Sequence, residues 1–204
     1  MLKIIDLKVG NIGSVIKAFK FLKAEYEVIT EPEQLKGATR ILLPGVGSFD
    51  IASERLMNSG FVEPLKKIIS DGSIPLLGIC VGMQLLATVG FEGKESLGLG
   101  VFNSKVLKLD DMNGSLVIPH MGWNDISTED MELFVDIPVG SCFYFVHSYA
   151  MVFDSTDEVT IAYTSYGNDV VAYVKKGNVH GAQFHPEKSQ APGLQFLRNF
   201  INLC

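Results

Sequence analysis

A chain of 204 residues is long enough to bury roughly 70% of its unfolded surface, so it needs no metal or disulfide staple. Hydrophobic residues make up 47% and charged residues 20%, and 17 Lys and Arg against 23 Asp and Glu leave a net charge of -6. That scattered, acidic balance lacks the cationic footprint a phosphate backbone requires, which argues against nucleic acid as a partner. Cys80, Cys142 and Cys204 form neither a paired framework nor a CxxC metal spacing. The opening residues carry no signal-peptide apolar run, and the stretch 74–90 is too short and too interrupted by Gly and Pro to span a bilayer. The expectation is a cytoplasmic protein without metal or membrane contact, built as one domain over residues 1–204.

Residues 3–7 read as a strand, and Gly10-Asn11-Ile12-Gly13 turns the chain into a helix over 14–22. Short strands are expected at 27–30 and 40–43, the second closed by Pro44-Gly45-Val46-Gly47. Helical periodicity covers 50–58 and 62–71. An apolar strand at 75–79 then runs straight into a helix over 82–89. Strands apolar on both faces and separated by helices predict a parallel sheet covered on both sides. Beyond Gly100 the spacing becomes hairpin-like, with strands at 101–106, 115–118, 142–146, 159–163, 170–175 and 179–184 and a closing helix over 192–203. The expected class is α/β: an open, mainly parallel sheet with helices on both faces and added antiparallel strands.

The sharpest local signal is Gly78-Ile79-Cys80-Val81-Gly82 at the strand-to-helix junction, a nucleophile-elbow pattern with Cys in the place of Ser. Its glycines let strand and helix approach closely, and the N-terminus of a following helix favours a thiolate. A buried core cysteine is the plain alternative. A thiol nucleophile needs a base and a group that orients the base. His185, in Gln183-Phe184-His185-Pro186-Glu187, follows an apolar strand. In an extended segment Glu187 falls on the same side and can hold the ring. An exposed strand-end turn is the alternative there. Candidate oxyanion donors are the backbone N–H of Val81 and, from the loop after the strand at 40–43, those of Val46 and Gly47. His120, His147 and His180 show no metal-ligand spacing and read as structural.

Gly78-Ile79-Cys80-Val81-Gly82-Met83-Gln84-Leu85-Leu86 with Phe184-His185-Pro186-Glu187-Lys188-Ser189 resembles the class I, triad-type glutamine amidotransferases. Ile5-Asp6, Gly10-Asn11, Ser14-Val15, Leu43-Pro44-Gly45-Val46-Gly47-Ser48-Phe49, Pro119-His120-Met121-Gly122-Trp123-Asn124 and Phe145-Val146-His147-Ser148-Tyr149 look like the glutaminase subunits of imidazole glycerol phosphate synthases. The resemblance covers essentially the whole chain. It implies a flavodoxin-like fold and hydrolysis of glutamine by a triad of Cys80, His185 and Glu187, with no cofactor. It also implies that Gly47, Gln84, Ser148 and Tyr149 hold glutamine, Gln84 by its side chain and the others mainly through backbone groups. Ammonia would pass to a separate (β/α)₈-barrel cyclase subunit, the other half of a heterodimer. That subunit forms imidazole glycerol phosphate and aminoimidazole carboxamide ribotide in histidine synthesis. Asn11, Met121, Trp123, Asn124 and Lys188 match positions at the contact with that partner, where an aromatic anchor is favoured.

Four positions depart from the family pattern. Leu7-Lys8 stands where Tyr-Gly is usual, Val81 where Leu is usual, and Gln190 where a Gly often follows Lys-Ser. Two other readings are open: a paralogue supplying ammonia for amidination of a surface-polysaccharide sugar, and a free-standing cysteine hydrolase. A glutaminase running without its acceptor wastes glutamine. Val46, flanked by two glycines, is therefore expected to complete the oxyanion site only in the ligand-bound complex.

Overall fold

The computed structural model describes residues 1–127 and 131–203. Its first half alternates strands β1 (Leu2–Ile5), β2 (Tyr26–Ile29), β3 (Arg40–Gly45) and β4 (Leu76–Cys80) with helices α1 (Gly13–Phe21), α2 (Phe49–Asn58) and α3 (Val62–Asp71). A single helical turn, α4 (Val81–Gln84), leads into β5 (Ala87–Gly90), β6 (Ser96–Leu97) and β7 (Phe102–Lys108). Then come β8 (His120–Asp125), β9 (Cys142–His147), β10 (Tyr149–Phe153), β11 (Thr160–Tyr166), β12 (Asn168–Lys176), β13 (Val179–Ala182) and helix α5 (Gln190–Asn202).

Seven strands form the main sheet in the order β11-β12-β13-β4-β3-β1-β2. The run from β2 to β13 is parallel and has the flavodoxin-like order, while β12 and β11 continue it antiparallel. Ile4, Ile5, Leu42, Leu43, Leu76 and Leu77 are wholly buried. Successive residues of a strand face opposite sides, so these runs need cover on both faces. α1 joins β1 to β2, and α2 and α3 join β3 to β4 in the opposite direction along the sheet; by the right-handed rule for parallel crossovers, connections running in opposite directions place their helices on opposite faces. A second sheet, β10-β7-β5-β6, and a two-stranded ribbon of β8 and β9 complete the architecture.

The placement of β13 decides the site. It lies between β4 and β12, with Gly181 opposite Gly78 and Ala182 opposite Ile79. The segment after β13 therefore emerges beside the end of β4, although 103 residues separate Cys80 from Gln183 in the chain. Both segments leave the carboxyl edge of parallel strands, where open α/β sheets bind ligands.

Several expected elements differ. The helix over 82–89 is only the turn Val81–Gln84, followed by a strand. Leu99, Gly100 and Val101 donate their N–H groups to the carbonyls of Leu85, Ala87 and Leu86, and these bonds draw the segment out of the helix. No strand forms over 115–118, where Ser115 and Val117 are exposed just after the left-handed residues Met112, Asn113 and Gly114. The segment around Trp123, read as a loop, is strand β8 with Trp123 opposite Tyr144 on β9. Strand β10 lies where none is expected. Cys80 and Cys142 are free, and Cys204 lies outside the described residues. Among the described residues no helix is long and apolar enough to cross a membrane.

Candidate active site

Cys80 ends β4 at φ 53° and ψ -113°. Non-glycine residues rarely adopt a positive φ, and such strain, of order 1–3 kcal/mol, persists only where the surroundings impose it. Here the surroundings are two glycines. A Cβ on Gly82 would overlap the Leu43 carbonyl oxygen, and one on Gly78 would sit 2.6 Å from the Gly82 carbonyl oxygen. The chain can turn this tightly against β3 only with glycine at both positions. The elbow leaves the Cys80 side chain 4% exposed, at the edge of a cavity of about 260 Å³.

The segment after β13 is clamped by β9. The His185 N–H donates to the Tyr144 carbonyl at 2.8 Å, the Tyr144 N–H donates to Ser189 Oγ, and Ser189 Oγ donates to the His185 carbonyl. Beneath it, Phe184 packs on Phe143 and Phe196. Glu187 Oε1 lies 2.8 Å from His185 Nδ1, with both side chains almost wholly buried. A carboxylate only accepts, so Nδ1 carries the proton and Nε2 is left for the Cys80 sulfur. Glu187 does not get there by extended alternation: Pro186–Lys188 is a 3₁₀ turn that folds its carboxylate back onto the ring. Burial of the imidazole opposes its charge, but the Cys80 sulfur and the Glu187 carboxylate together outweigh burial and hold it up at about 10.

Val46, Gly47, Val81, Gln84, Ser148 and Tyr149 line the same cavity as Cys80. Gln84 is 2% exposed and donates through Nε2 to the Tyr149 carbonyl at 2.9 Å and to Gln183 Oε1 at 3.0 Å. Its own Oε1 has no hydrogen-bond partner. Gln183 and Glu92 were not singled out from the sequence, and His147 was read there as structural. Gln183 Nε2 lies 3.8 Å from the Cys80 sulfur, and its one sequence signal is that it stands two residues before His185. Glu92 lines the cavity while its Oε2 accepts the Phe49 N–H, and burial raises its carboxyl above the usual range. His147 lines the cavity too, paired with His120 across 3.2 Å. Burial lowers His120 to about 4 and His147 to about 3, so both rings are neutral near pH 7. Among the described residues no cluster of His, Cys, Asp and Glu could hold a metal ion.

The residues expected at a partner surface are partly gathered. Met121 and Trp123 alternate onto one face of β8, 62% and 48% exposed. Trp123 meets the Tyr144 ring edge-on, and the Lys188 ammonium sits 5.8 Å from the centre of that ring. Asn11 is exposed, turns its Oδ1 to the Gly13 N–H and borders a narrow cleft with His185 and Glu187. Asn124 is the exception. Strand alternation turns its side chain off the face that carries Trp123, and its Nδ2 donates to the Ser165 carbonyl.

The Glutamine amidotransferase class-I family matches residues 3–203. Imidazole glycerol phosphate synthase subunit HisH 1 of Campylobacter jejuni (strain RM1221) is 43% identical over 205 residues, covering 100% of both chains. Imidazole glycerol phosphate synthase subunit HisH of Leptospira interrogans is 39% identical over 206 residues, again across 100% of both. A crystal structure of a glutamine amidotransferase superposes with a TM-score of 0.73 at 24% identity over 98% of each chain, a likeness of fold.

Proposed function

This chain belongs to the class-I glutamine amidotransferases, and from that premise we propose that it is the glutaminase subunit of an imidazole glycerol phosphate synthase. It hydrolyses L-glutamine to glutamate and ammonia, and the ammonia passes to a separate barrel cyclase subunit in histidine biosynthesis. The observation that carries the chemistry is the buried His185–Glu187 pair facing the strained Cys80 elbow. The pathway follows from full-length relatives named as HisH subunits. Neither the sugar-amidination paralogue nor the free-standing hydrolase has an observation in its favour.

The Cys80 thiolate attacks the γ-carboxamide carbon, and the Val81 N–H receives the negative charge developing on the carbonyl oxygen. Val46 adds a second donor when the partner complex turns its peptide into the site. The His185 imidazolium gives its Nε2 proton to the departing nitrogen, the C–N bond breaks, and ammonia leaves a γ-glutamyl thioester on Cys80. His185 then takes a proton from water, the hydroxide displaces the sulfur, and glutamate is released with the thiolate restored. Glu187 holds the ring and stabilises its charged form. Glutamine enters as a zwitterion: backbone groups of Gly47, Ser148 and Tyr149 and the free Oε1 of Gln84 position it, and Glu92 offers a carboxylate for its ammonium. Met121, Trp123, Lys188 and Asn11 form the docking face for the cyclase in a cytoplasmic heterodimer, and Asn124 braces β8 against β11.

The test measures glutamate release by the chain alone, with the barrel cyclase, and with cyclase plus a nucleotide ligand, beside the Cys80→Ser variant in each. Strong stimulation in the third condition only is expected. Cys80→Ser loses glutamine-dependent synthesis and keeps synthesis from added ammonia. Full activity of the isolated chain restores the free-standing hydrolase, and wild-type turnover by Cys80→Ser removes the thiol from the reaction.

A further inference from the structure

Gln183 is wholly buried, and no step above uses it. Its amide bridges Gln84 and the nucleophile, and a single atom sets the direction of every bond in that bridge. The Tyr149 carbonyl oxygen can only accept. Gln84 Nε2 lies 2.9 Å from it, so Gln84 turns its NH₂ group that way. The second hydrogen of the same NH₂ group goes to Gln183 Oε1 at 3.0 Å. With its oxygen engaged, Gln183 must present its own NH₂ to the Cys80 sulfur, 3.8 Å away. The Tyr149 carbonyl also faces His147 Nδ1 at 2.9 Å, which makes Nδ1 the protonated nitrogen. His147 Nε2 is then an acceptor for His120 Nδ1. Both rings are buried and neutral, so nothing on this side of the bridge reverses its polarity near pH 7.

We propose that Gln183 is a positioning residue for the nucleophile: its amide N–H holds the Cys80 sulfur as a thiolate aimed into the cavity, with the donor direction imposed by Gln84 and the Tyr149 carbonyl. The proposal rests on Cys80 being the nucleophile of the proposed glutaminase. An N–H donor stabilises a charged sulfur more than a neutral one, since the bond strengthens with the charge on its acceptor. Tyr149 belongs to the segment assigned to glutamine binding.

The test is the pH–rate profile of Cys80 alkylation by iodoacetamide on the full chain, followed by the mass of the Cys80 peptide. It requires only a reactive thiol. A chain whose Cys80 alkylates but which hydrolyses no glutamine with its partner refutes the function and leaves the Gln183 contact to be judged on the profile. The charged and titratable groups around the sulfur are His185 with Glu187 behind it, His147 with His120, and Glu92 across the cavity. All of them persist in Gln183→Met and Gln183→Glu.

Gln183→Met removes the donor at similar length and moves the profile up by about one pH unit, the size expected for one hydrogen bond to a charged group. Gln183→Glu sets a carboxylate against the sulfur and moves it further in the same direction. In glutamine hydrolysis by the complex, Gln183→Met lowers kcat by about tenfold with KM nearly unchanged. Gln84→Met frees the Gln183 amide to flip and gives a smaller upward shift, which decides the matter should the Gln183 variants not fold. An unchanged profile in folded Gln183→Met, or in Gln84→Met where it stands in, overturns the proposal. So does a loss of thermal stability with an unchanged profile, because that assigns Gln183 to packing alone.

Discussion

At the residue scale the proposed reaction divides the work between a proton carrier, His185, and a group that only orients it, Glu187. His185→Ala removes the carrier, and kcat for glutamine hydrolysis in the complex falls by about 10²–10⁴-fold. Glu187→Gln keeps an oxygen for Nδ1 and loses the charge, so it costs less than His185→Ala. It also lowers the pH at which His185 deprotonates from about 10. His185 is raised above its ordinary value, so its favourable interactions are complete below about 6.5 and fade as pH rises through about 10. Glu187→Gln brings the alkaline fall of kcat/KM to lower pH, and equal profiles for the variant and wild type would take Glu187 out of the triad. The Cys80 elbow and the His185–Glu187 contact were legible in the sequence because short motifs carry them. Gln183 was not, since a glutamine two residues before a histidine has the same spacing whether it meets a sulfur or a core. Which of its two amide atoms faces the sulfur depends on the Tyr149 carbonyl, supplied by another strand.

At the element scale, local pattern predicted the parallel half well and the rest less well. β1, β3 and β4 are buried between crossover elements, so the period of their residues reflects their cover directly. The segment 82–89 has the apolar texture of a helix. It becomes a turn and a strand because residues 99–101 offer its carbonyls N–H donors from outside the helix, and that competition is invisible within the segment. Strand β8 was hidden for the same reason, since its partner β9 begins at Cys142. Two departures from the family pattern find their explanation at this scale. Lys8 and Gln190 take φ of 59° and 52°, the region glycine enters freely, and both stand where the family usually has glycine. Lys8 partly offsets that cost by bonding Asp6 through both its backbone N–H and its ammonium. The elbow offers a sharp test. Gly82→Ala drives a methyl group into the Leu43 carbonyl and costs about 3 kcal/mol or more in urea denaturation. Gly177→Ala meets nothing within 4 Å and costs only about 1 kcal/mol, for its positive φ. Similar losses for the two would mean that the elbow is not tight.

At the scale of the whole molecule, three histidines are buried and neutral in different parts of the fold. His120 and His147 lie in the β8–β9 ribbon and His180 in the main sheet, where it meets the Tyr173 hydroxyl at 2.7 Å. Burial lowers them to about 4, about 3 and about 4. In the unfolded chain they take up protons near pH 6.5 and in the folded one they do not, so stability is complete above about 6.5 and declines as pH falls toward 4. Each histidine accounts for on the order of 2 kcal/mol of lost stability by pH 5. His180→Gln, compared with wild type by urea midpoint at pH 7.5 and pH 5, narrows the gap between the two pH values. An equal gap in variant and wild type would show that His180 is not held neutral.

The central position of β13 also matters while the protein is being made. Cys80 leaves the ribosome with the first half of the chain, but His185, its base in the proposed reaction, arrives only after β13 has been synthesised and has slotted between β4 and β12. A nascent or prematurely ended chain carries the thiol without the His185 imidazole. In the proposed reaction no unfinished copy holds the complete triad, and the partner acts on a site that the last strand of the sheet has already assembled.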